Sequence, residues 1–411
     1  MRNFIYGLIF NMATEINVGK TVLYISYNGA TEPVFQSQVL PYLKRLTARG
    51  SNIMLLTFER LSESTPQELE MLRLSLSEVG IAWTYLRYHK QPRVPATLFD
   101  IARGTIAAVS LIRRYNIKFI HARSYIPAII ASFAAGWHQV PWLFDMRGLM
   151  ADEYADGGLI SRNGRIFRII KRIEKYLLRT ADEVVVLTEN IKGVLSSLTS
   201  APMEVIPCCV DTQIFKPSNS TKNEKTELVY AGSTGTWYCL EEMAEFFNTW
   251  KAFNKKVHWS IFSQGDLGTI RDTLRDKNVQ DEDVEIQAVP YESMPASLVL
   301  GDVGIAFMKS TFSKRASCPI KVAEYLACGL PVVINAGIGD TEDLIERNRV
   351  GVVVRDFSPA GYAMAIGELS KLRKDPDLSA RCRRVTQGEL SIQMGVHRYQ
   401  EVYRRMETAN A

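Results

Sequence analysis

Short, continuously apolar runs separated by stretches of helical periodicity recur along this chain in two successive sets. That double recurrence constrains the fold more than any other feature. The first run, Thr21–Ser26 (TVLYIS), lacks the polar alternation of a half-exposed strand and reads as a parallel strand covered on both faces. A helix is expected over 37–48, with Val39, Leu40, Leu43 and Leu46 at helical spacing and Gly50 as its stop. Further strands are expected at 53–58, 118–121, 142–145 and 183–188, and helices near 66–79, 98–115, 127–136 and 165–179. After Ile206 the stretch from Pro207 to Thr226 is rich in turn formers and polar residues, and the alternation then restarts. Strands at 228–231, 258–262, 284–287, 303–307, 331–334 and 351–354 alternate with helices near 240–253, 268–276, 319–328 and 342–347. A long helical region over 376–406 follows.

The pattern implies an α/β chain of two doubly wound, Rossmann-like domains facing a central cleft, with a C-terminal helix crossing back to the first domain. The expected boundaries are an N-terminal extension (1–20), a first domain (21–207), a linker (208–226), a second domain (227–390) and the crossing helix (391–411). The length of 411 residues suits two domains. With 46% hydrophobic and 23% charged residues, the composition is that of an ordinary globular protein and excludes a disordered or low-complexity chain. A net charge of +5 is too mild for a nucleic-acid packager. The six cysteines form no C-x-x-C pair and the five histidines are scattered, so reduced thiols, no zinc site and a cytoplasmic location are expected. The apolar run Phe4–Phe10 is too short to span a bilayer, and no small-residue cleavage site follows it.

The most informative segment is 317–340, SCPIKVAEYLACGLPVVINAGIGD. Pro319 fits the start of a helix, and Ser317 and Cys318 stand at its cap, where free N–H groups and the helix dipole favour an anion. Lys321 lies in the first turn, where a cation is disfavoured unless it meets a negative ligand. Glu324, at i+3, projects on the same side and can accept hydrogen bonds from a pair of hydroxyls. Gly337 and Gly339, with Asp340, form a tight turn whose N–H groups can face the same ligand. The same segment also reads as an ordinary helix–strand unit with a Lys–Glu pair.

This segment resembles the signature of the family-four retaining glycosyltransferases, which have the GT-B fold. In that signature a Glu precedes A-x-G-x-P-V-V, as Glu324 precedes Ala327, Gly329, Pro331, Val332 and Val333. The resemblance extends over SYNGATEPVFQSQ (26–38), HARS (121–124), DMRGLMADE (145–153), IPCCVDTQIF (206–215) and VYAGSTGTWY (229–238). It implies transfer, with retention, of a sugar from a UDP- or GDP-sugar to a hydroxyl of a glycan or lipid-linked acceptor. It further implies surface-polysaccharide biosynthesis, no metal or cofactor, and Glu324 on the donor ribose.

The chain also departs from the family. Where many relatives carry a first, sugar-facing Glu, this chain has Ala316, and Ser317 or the 337–340 turn is a candidate substitute. Where many carry an Arg and a Lys for the diphosphate, Gly232, Ser233, Thr234 and Gly235 stand, so the positive charge is expected from Lys321, Arg315 or Lys314. Gly29 is matched to a glycine near the donor phosphate, and Ser37 is an expected N-cap beside it. His121, Arg123, Asp145 and Arg147 end two neighbouring strands. They read either as acceptor-side catalytic groups or as a structural cluster. The helix over 162–179 is basic on one side and apolar on the other, which suits peripheral contact with an anionic membrane on its inner face, or a core-packed helix with a solvated side.

Rival readings are a sugar-nucleotide epimerase of the same fold and a non-catalytic two-domain sugar-binding protein. A nicotinamide dehydrogenase is disfavoured because no G-x-G-x-x-G follows Ser26 or Ala231.

Overall fold

The computed structural model describes residues 21–217 and 225–408. The expected extension at 1–20 and the middle of the expected linker lie outside the described residues. The first sheet contains β1 (Thr21–Ser26), β2 (Asn52–Glu59), β3 (Ile81–Arg87), β4 (Ile117–Arg123), β5 (Trp142–Asp145), β6 (Glu183–Val186) and β7 (Met203–Val205). Its order is β3-β2-β1-β4-β5-β6-β7, and every pairing is parallel. The second sheet contains β8 (Thr226–Ala231), β9 (Val257–Phe262), β10 (Val284–Gln287), β11 (Val303–Ala306), β12 (Val332–Asn335) and β13 (Gly351–Val354). It runs β10-β9-β8-β11-β12-β13, again all parallel. Each sheet reverses direction of growth beside its first strand, the position where open α/β sheets leave a crevice. The chain therefore has the two Rossmann-like domains that the alternation implied.

Several elements depart from the reading of the sequence. β3 was not expected; its mixed IAWTYLR sequence suits an edge strand, half-paired and less uniformly apolar. The helices Met150–Asp156, Glu189–Leu195 and Pro359–Leu372 were also missed. Ser37 is not an N-cap. The helix begins earlier, at Pro33, and the Ser37 hydroxyl donates to the Pro33 carbonyl (2.8 Å); a break at Val39 then separates Pro33–Gln38 from Leu40–Ala48. The last helical region is two helices, Leu378–Val385 and Ile392–Thr408, separated by a wide turn and an extended Ser391.

That break places the crossing. Val210 N–H donates to Leu390 O (2.8 Å) and Ile392 N–H to Val210 O (2.9 Å), so the two chain segments that pass between the domains are bonded to each other. Ile392, Val396, Tyr399, Val402, Tyr403 and Met406 then bury themselves in the first domain's core, with Val22, Tyr24, Phe119 and Leu143.

Candidate functional site

The helix Ile320–Ala327 is packed tightly against β11. Gly304 makes room for the Tyr325 ring, since a Cβ there would lie 2.3 Å from the ring. Val322, Ala323 and Leu326 join the second domain's core. Lys321 and Glu324 share the other side of this helix, yet both are buried, at 4% and 5% exposure.

Burial of two opposite charges is expected to come with full hydrogen bonding, and here it does not. Glu324 Oε1 is buried without a hydrogen-bond partner. Burial pushes the Glu324 carboxyl up to about 7, against the pull of Lys321 and a hydrogen bond from Tyr291. Burial likewise holds the Lys321 ammonium well below the usual lysine range, and Glu324 offsets this only in part. Lys321 Nζ donates to the Tyr230 hydroxyl (3.1 Å) and sits 3.3 Å from the centroid of the Tyr238 ring. A hydroxyl and a π-face are weak substitutes for an anion. Both groups are thus biased toward neutrality, and an anion with hydroxyl groups is the ligand that would restore their charges.

Gly232 completes this corner. Its φ of +134° is open to glycine, and a Cβ would lie 2.7 Å from Lys321 Nζ. The two predicted donor segments, 232–234 and 317–324, therefore meet at one point. Ser233 is exposed and Thr234 half-buried beside it. Ser317 faces the glycine turn: a Cβ on Gly339 would lie 2.1 Å from Ser317 O, and Gly339 N–H donates to Lys314 O (2.9 Å). Gly337 abuts Ser310, whose Oγ a Cβ would approach to 2.2 Å.

Other expected residues stand elsewhere. The Asp340 carboxylate accepts the backbone N–H groups of Glu189 (2.6 Å) and Asn190 (3.0 Å), so it ties the second domain to the first rather than pointing at the Lys321 corner. Arg315 donates to Asn190 Oδ1 (2.7 Å), across the same seam. Lys314 lies 3.7 Å from the Trp237 ring centroid and 3.3 Å from Glu153 Oε1. Of the three candidate cations, Lys321 alone adjoins Gly232. The loop at Gly29 carries acids: Gly29 N–H donates to Glu32 (3.1 Å) and Ala30 N–H to the buried Glu59 (2.6 Å). These N–H groups are already engaged by carboxylates, which disfavours a phosphate at Gly29.

His121, Arg123, Asp145 and Arg147 are brought together, but under the crossing helix. Asp145 is fully buried and accepts from Tyr399 OH (3.2 Å), with Arg147 Nη1 at 3.3 Å, His121 Nε2 at 3.4 Å and Arg123 Nη1 at 3.5 Å. His121 Nδ1 is 2.8 Å from Tyr403 OH. Burial opposes ionisation of Asp145, yet Arg147, His121 and Arg123 together hold its carboxyl well below the usual range. Arg147 also reaches Cys208 Sγ (3.5 Å), and Cys208 N–H donates to Cys318 Sγ (3.3 Å) at the domain seam. All six cysteines are free.

Sequence reading missed Tyr230, Tyr238 and Tyr291, because aromatics at strand ends and in loops look like core. A cavity of about 210 Å³ lies between the domains, lined by Cys318, Val322, Asp340, Thr341, Thr188 and Arg398. It is on the flank of the helix opposite Lys321 and Glu324. Among the described residues, no group of three or more His, Cys, Asp or Glu is arranged to hold a metal ion.

The comparisons agree with this architecture. Residues 38–214 match the family model Glycosyltransferase Family 4, and residues 228–365 match Glucosyltransferase 3-like, C-terminal domain. The structure is similar to sucrose-phosphate synthase from Thermosynechococcus elongatus (TM-score 0.71, 15% identity, covering 95% of this chain and 100% of that one). It is similar to a glycosyltransferase from Rickettsia africae (0.69, 14%, 95% and 99%). It is similar also to HepE of Anabaena in complex with UDP-glucose (0.68, 12%, 94% and 100%). At these identities the likeness establishes the fold, which is GT-B. No curated protein sequence matches significantly.

Proposed function

We propose, from the match of residues 38–214 to the glycosyltransferase family 4 model and from the GT-B fold, that the chain is a member of that family and moves a hexosyl group from a nucleoside diphosphate sugar to a hydroxyl of a glycan or lipid-linked acceptor. The observation that carries the reading is the Lys321–Glu324 pair, buried beside Gly232 with one carboxylate oxygen unpartnered. A diphosphate would give Lys321 the anion it lacks, and ribose hydroxyls would donate to Glu324. Uridine is the favoured donor nucleoside, because HepE of Anabaena was solved with UDP-glucose.

In the reaction, the acceptor oxygen forms a bond to the anomeric carbon as the bond from that carbon to the phosphate oxygen breaks. The leaving diphosphate keeps the electron pair and takes the acceptor's proton, on the face from which it departed, so configuration is retained. Lys321 and the N–H groups of Ser233, Thr234 and Gly235 stabilise the developing charge, the Gly232 N–H being bonded to Phe262 O (2.8 Å); no metal is part of this proposal. The buried network around Asp145 acts as a positioning element: it fixes the crossing helix, and with it the relation of the two domains. A role in surface-polysaccharide assembly at the inner face of the cytoplasmic membrane, with peripheral contact through 162–179, belongs to the same proposal.

A thermal-shift panel of nucleotides and sugar nucleotides, run on wild type and Glu324→Ala, tests it. A UDP-sugar at a hundredfold excess over its dissociation constant should stabilise wild type by about 2.7 kcal/mol, and the variant far less. Equal shifts in both proteins would refute the assignment.

A further inference from the structure

Three helices cover one face of the first sheet: Arg93–Arg114, Tyr125–His138 and Arg165–Thr180. Their inner sides build the core through Ala108, Leu111, Ala131, Ala134, Leu177 and Leu178. They are packed into one continuous layer. A Cβ on Gly104 of the first helix would lie 2.6 Å from the Ile130 side chain of the second, so that side chain seats directly on the first helix's backbone. The Tyr125 hydroxyl, at the start of the second, donates to Glu174 of the third (2.6 Å).

The outer side of this layer is where an amphipathic helix should be polar, yet large apolar side chains are exposed there on all three helices. On the first helix, Val94, Leu98, Phe99 and Ile106 are all exposed. They fall in two rows on its outer side, Val94 with Leu98 and Phe99 with Ile106. This helix is long and apolar enough to cross a membrane by length and composition, although its inner side belongs to the sheet's core. On the second helix Phe133 and Trp137 are 55% and 76% exposed; on the third, Ile166 and Ile169 are 58% and 52% exposed. Neighbouring exposed apolar side chains of this size mark a binding surface rather than a solvated one.

The charges select the partner. The three helices contain two carboxylates, Asp100 and Glu174, and both are buried, at 0% and 1% exposure. The exposed charges are all cationic: Arg93, Arg113 and Arg114 at the ends of the first helix, and Arg168, Arg172 and Lys175 among those on the third. A second copy of this chain would bring like charges together across a twofold axis. An anionic bilayer accepts both features, the apolar side chains at the acyl boundary and the cations at lipid phosphates.

We propose that this three-helix face docks flat on an anionic lipid bilayer, with Phe133, Trp137 and the outer apolar side chains of Arg93–Arg114 at its apolar centre and the basic side of Arg165–Thr180 as its rim. The proposal deepens the membrane contact in the function proposed above and rests on that contact. It moves the centre of the contact from the basic helix to the two helices packed beside it.

The test is co-sedimentation of the full chain, without nucleotide, with vesicles of phosphatidylcholine alone or mixed with phosphatidylglycerol. Wild type should pellet with the mixed vesicles, less so as salt rises. Phe133→Ser with Trp137→Ser should weaken partitioning by about tenfold or more. Arg168→Glu with Arg172→Glu and Lys175→Glu should weaken it further. Both variants should keep the wild-type thermal shift with UDP, which reports their folding and reads the donor site separately. Wild type left in the supernatant, or a Phe133/Trp137 variant that binds like wild type, overturns the docking proposal. So does a wild-type dimer in analytical ultracentrifugation that the Phe133/Trp137 variant abolishes. A missing UDP shift in every protein, with vesicle binding intact, would break the donor assignment and leave the docking face standing.

Discussion

The two domains each bury a cluster of opposite charges, and the clusters differ in one respect. Around Asp145 every group has a partner: the carboxylate faces two guanidinium groups, an imidazole and the Tyr399 hydroxyl, and its ionised form is strongly favoured. Around Glu324 the carboxylate has an unpartnered oxygen, its lysine faces two tyrosines, and burial pushes both groups toward neutrality. A satisfied cluster holds a structure together; an unsatisfied one in the same kind of environment is poised for a ligand. Charged residues beyond strand ends look alike in a sequence. What separates structural from functional is the completeness of their partners.

Mutation should split the clusters in opposite directions. Asp145→Ala leaves Arg147 and Arg123 without their carboxylate, and is expected to lower stability by about 3–5 kcal/mol in denaturant titration. Lys321→Ala removes a desolvated cation. Its unfolding midpoint should stay at or above that of wild type, while kcat/KM falls by about 10²–10³, the loss typical of removing one group that stabilises a developing charge. If Lys321→Ala destabilises as Asp145→Ala does, the two clusters are of one kind and the contrast fails.

Acidity offers the second separation. The folded Glu324 carboxyl lies above its unfolded value of 4.5, so its contribution to stability is fully present below 4.5 and is lost as pH rises through about 7. That contribution is about 3 kcal/mol and should appear as the difference between wild type and Glu324→Gln across this window. Asp145 is shifted the other way: its stabilisation is present at neutral pH and is lost only on acidification below the ordinary carboxylate range. Donor affinity should accordingly fall as pH drops below about 7 in wild type. That acid limb should vanish in Glu324→Gln.

A smaller effect is expected at Gly232. Alanine there meets Lys321 Nζ in a backbone conformation that favours glycine, and should cost about 1 kcal/mol of stability together with a measurable loss of donor affinity. Asp340→Ala, which removes only the tie to Glu189 and Asn190, should alter donor affinity least of these. A larger loss from Asp340→Ala than from Gly232→Ala would return Asp340 to the donor site.

The paired sheets were readable because buried parallel strands leave uninterrupted apolar runs, as at TVLYIS and LVYA. β3 was not, since an edge strand carries fewer constraints. Lys321 and Glu324 were legible through their spacing on one short helix. The tyrosines around Lys321 were not, because nothing in the order of residues distinguishes Tyr230 from a core aromatic. The engaged N–H group of Ala30, next to Gly29, depends on Glu59, nearly thirty residues away, and only the folded chain brings them together. The outer apolar side chains of Arg93–Arg114 were hidden for a related reason: periodicity shows that a helix is apolar, not which of its sides remains uncovered.

The account stands most directly on calorimetric titration of UDP into wild type and Glu324→Gln at neutral pH. The expected result is saturable one-to-one binding to wild type, weakened by tenfold or more, about 1.4 kcal/mol, in a variant that melts at or above the wild-type temperature. Binding of equal strength in the two proteins, or no binding to wild type, would contradict it.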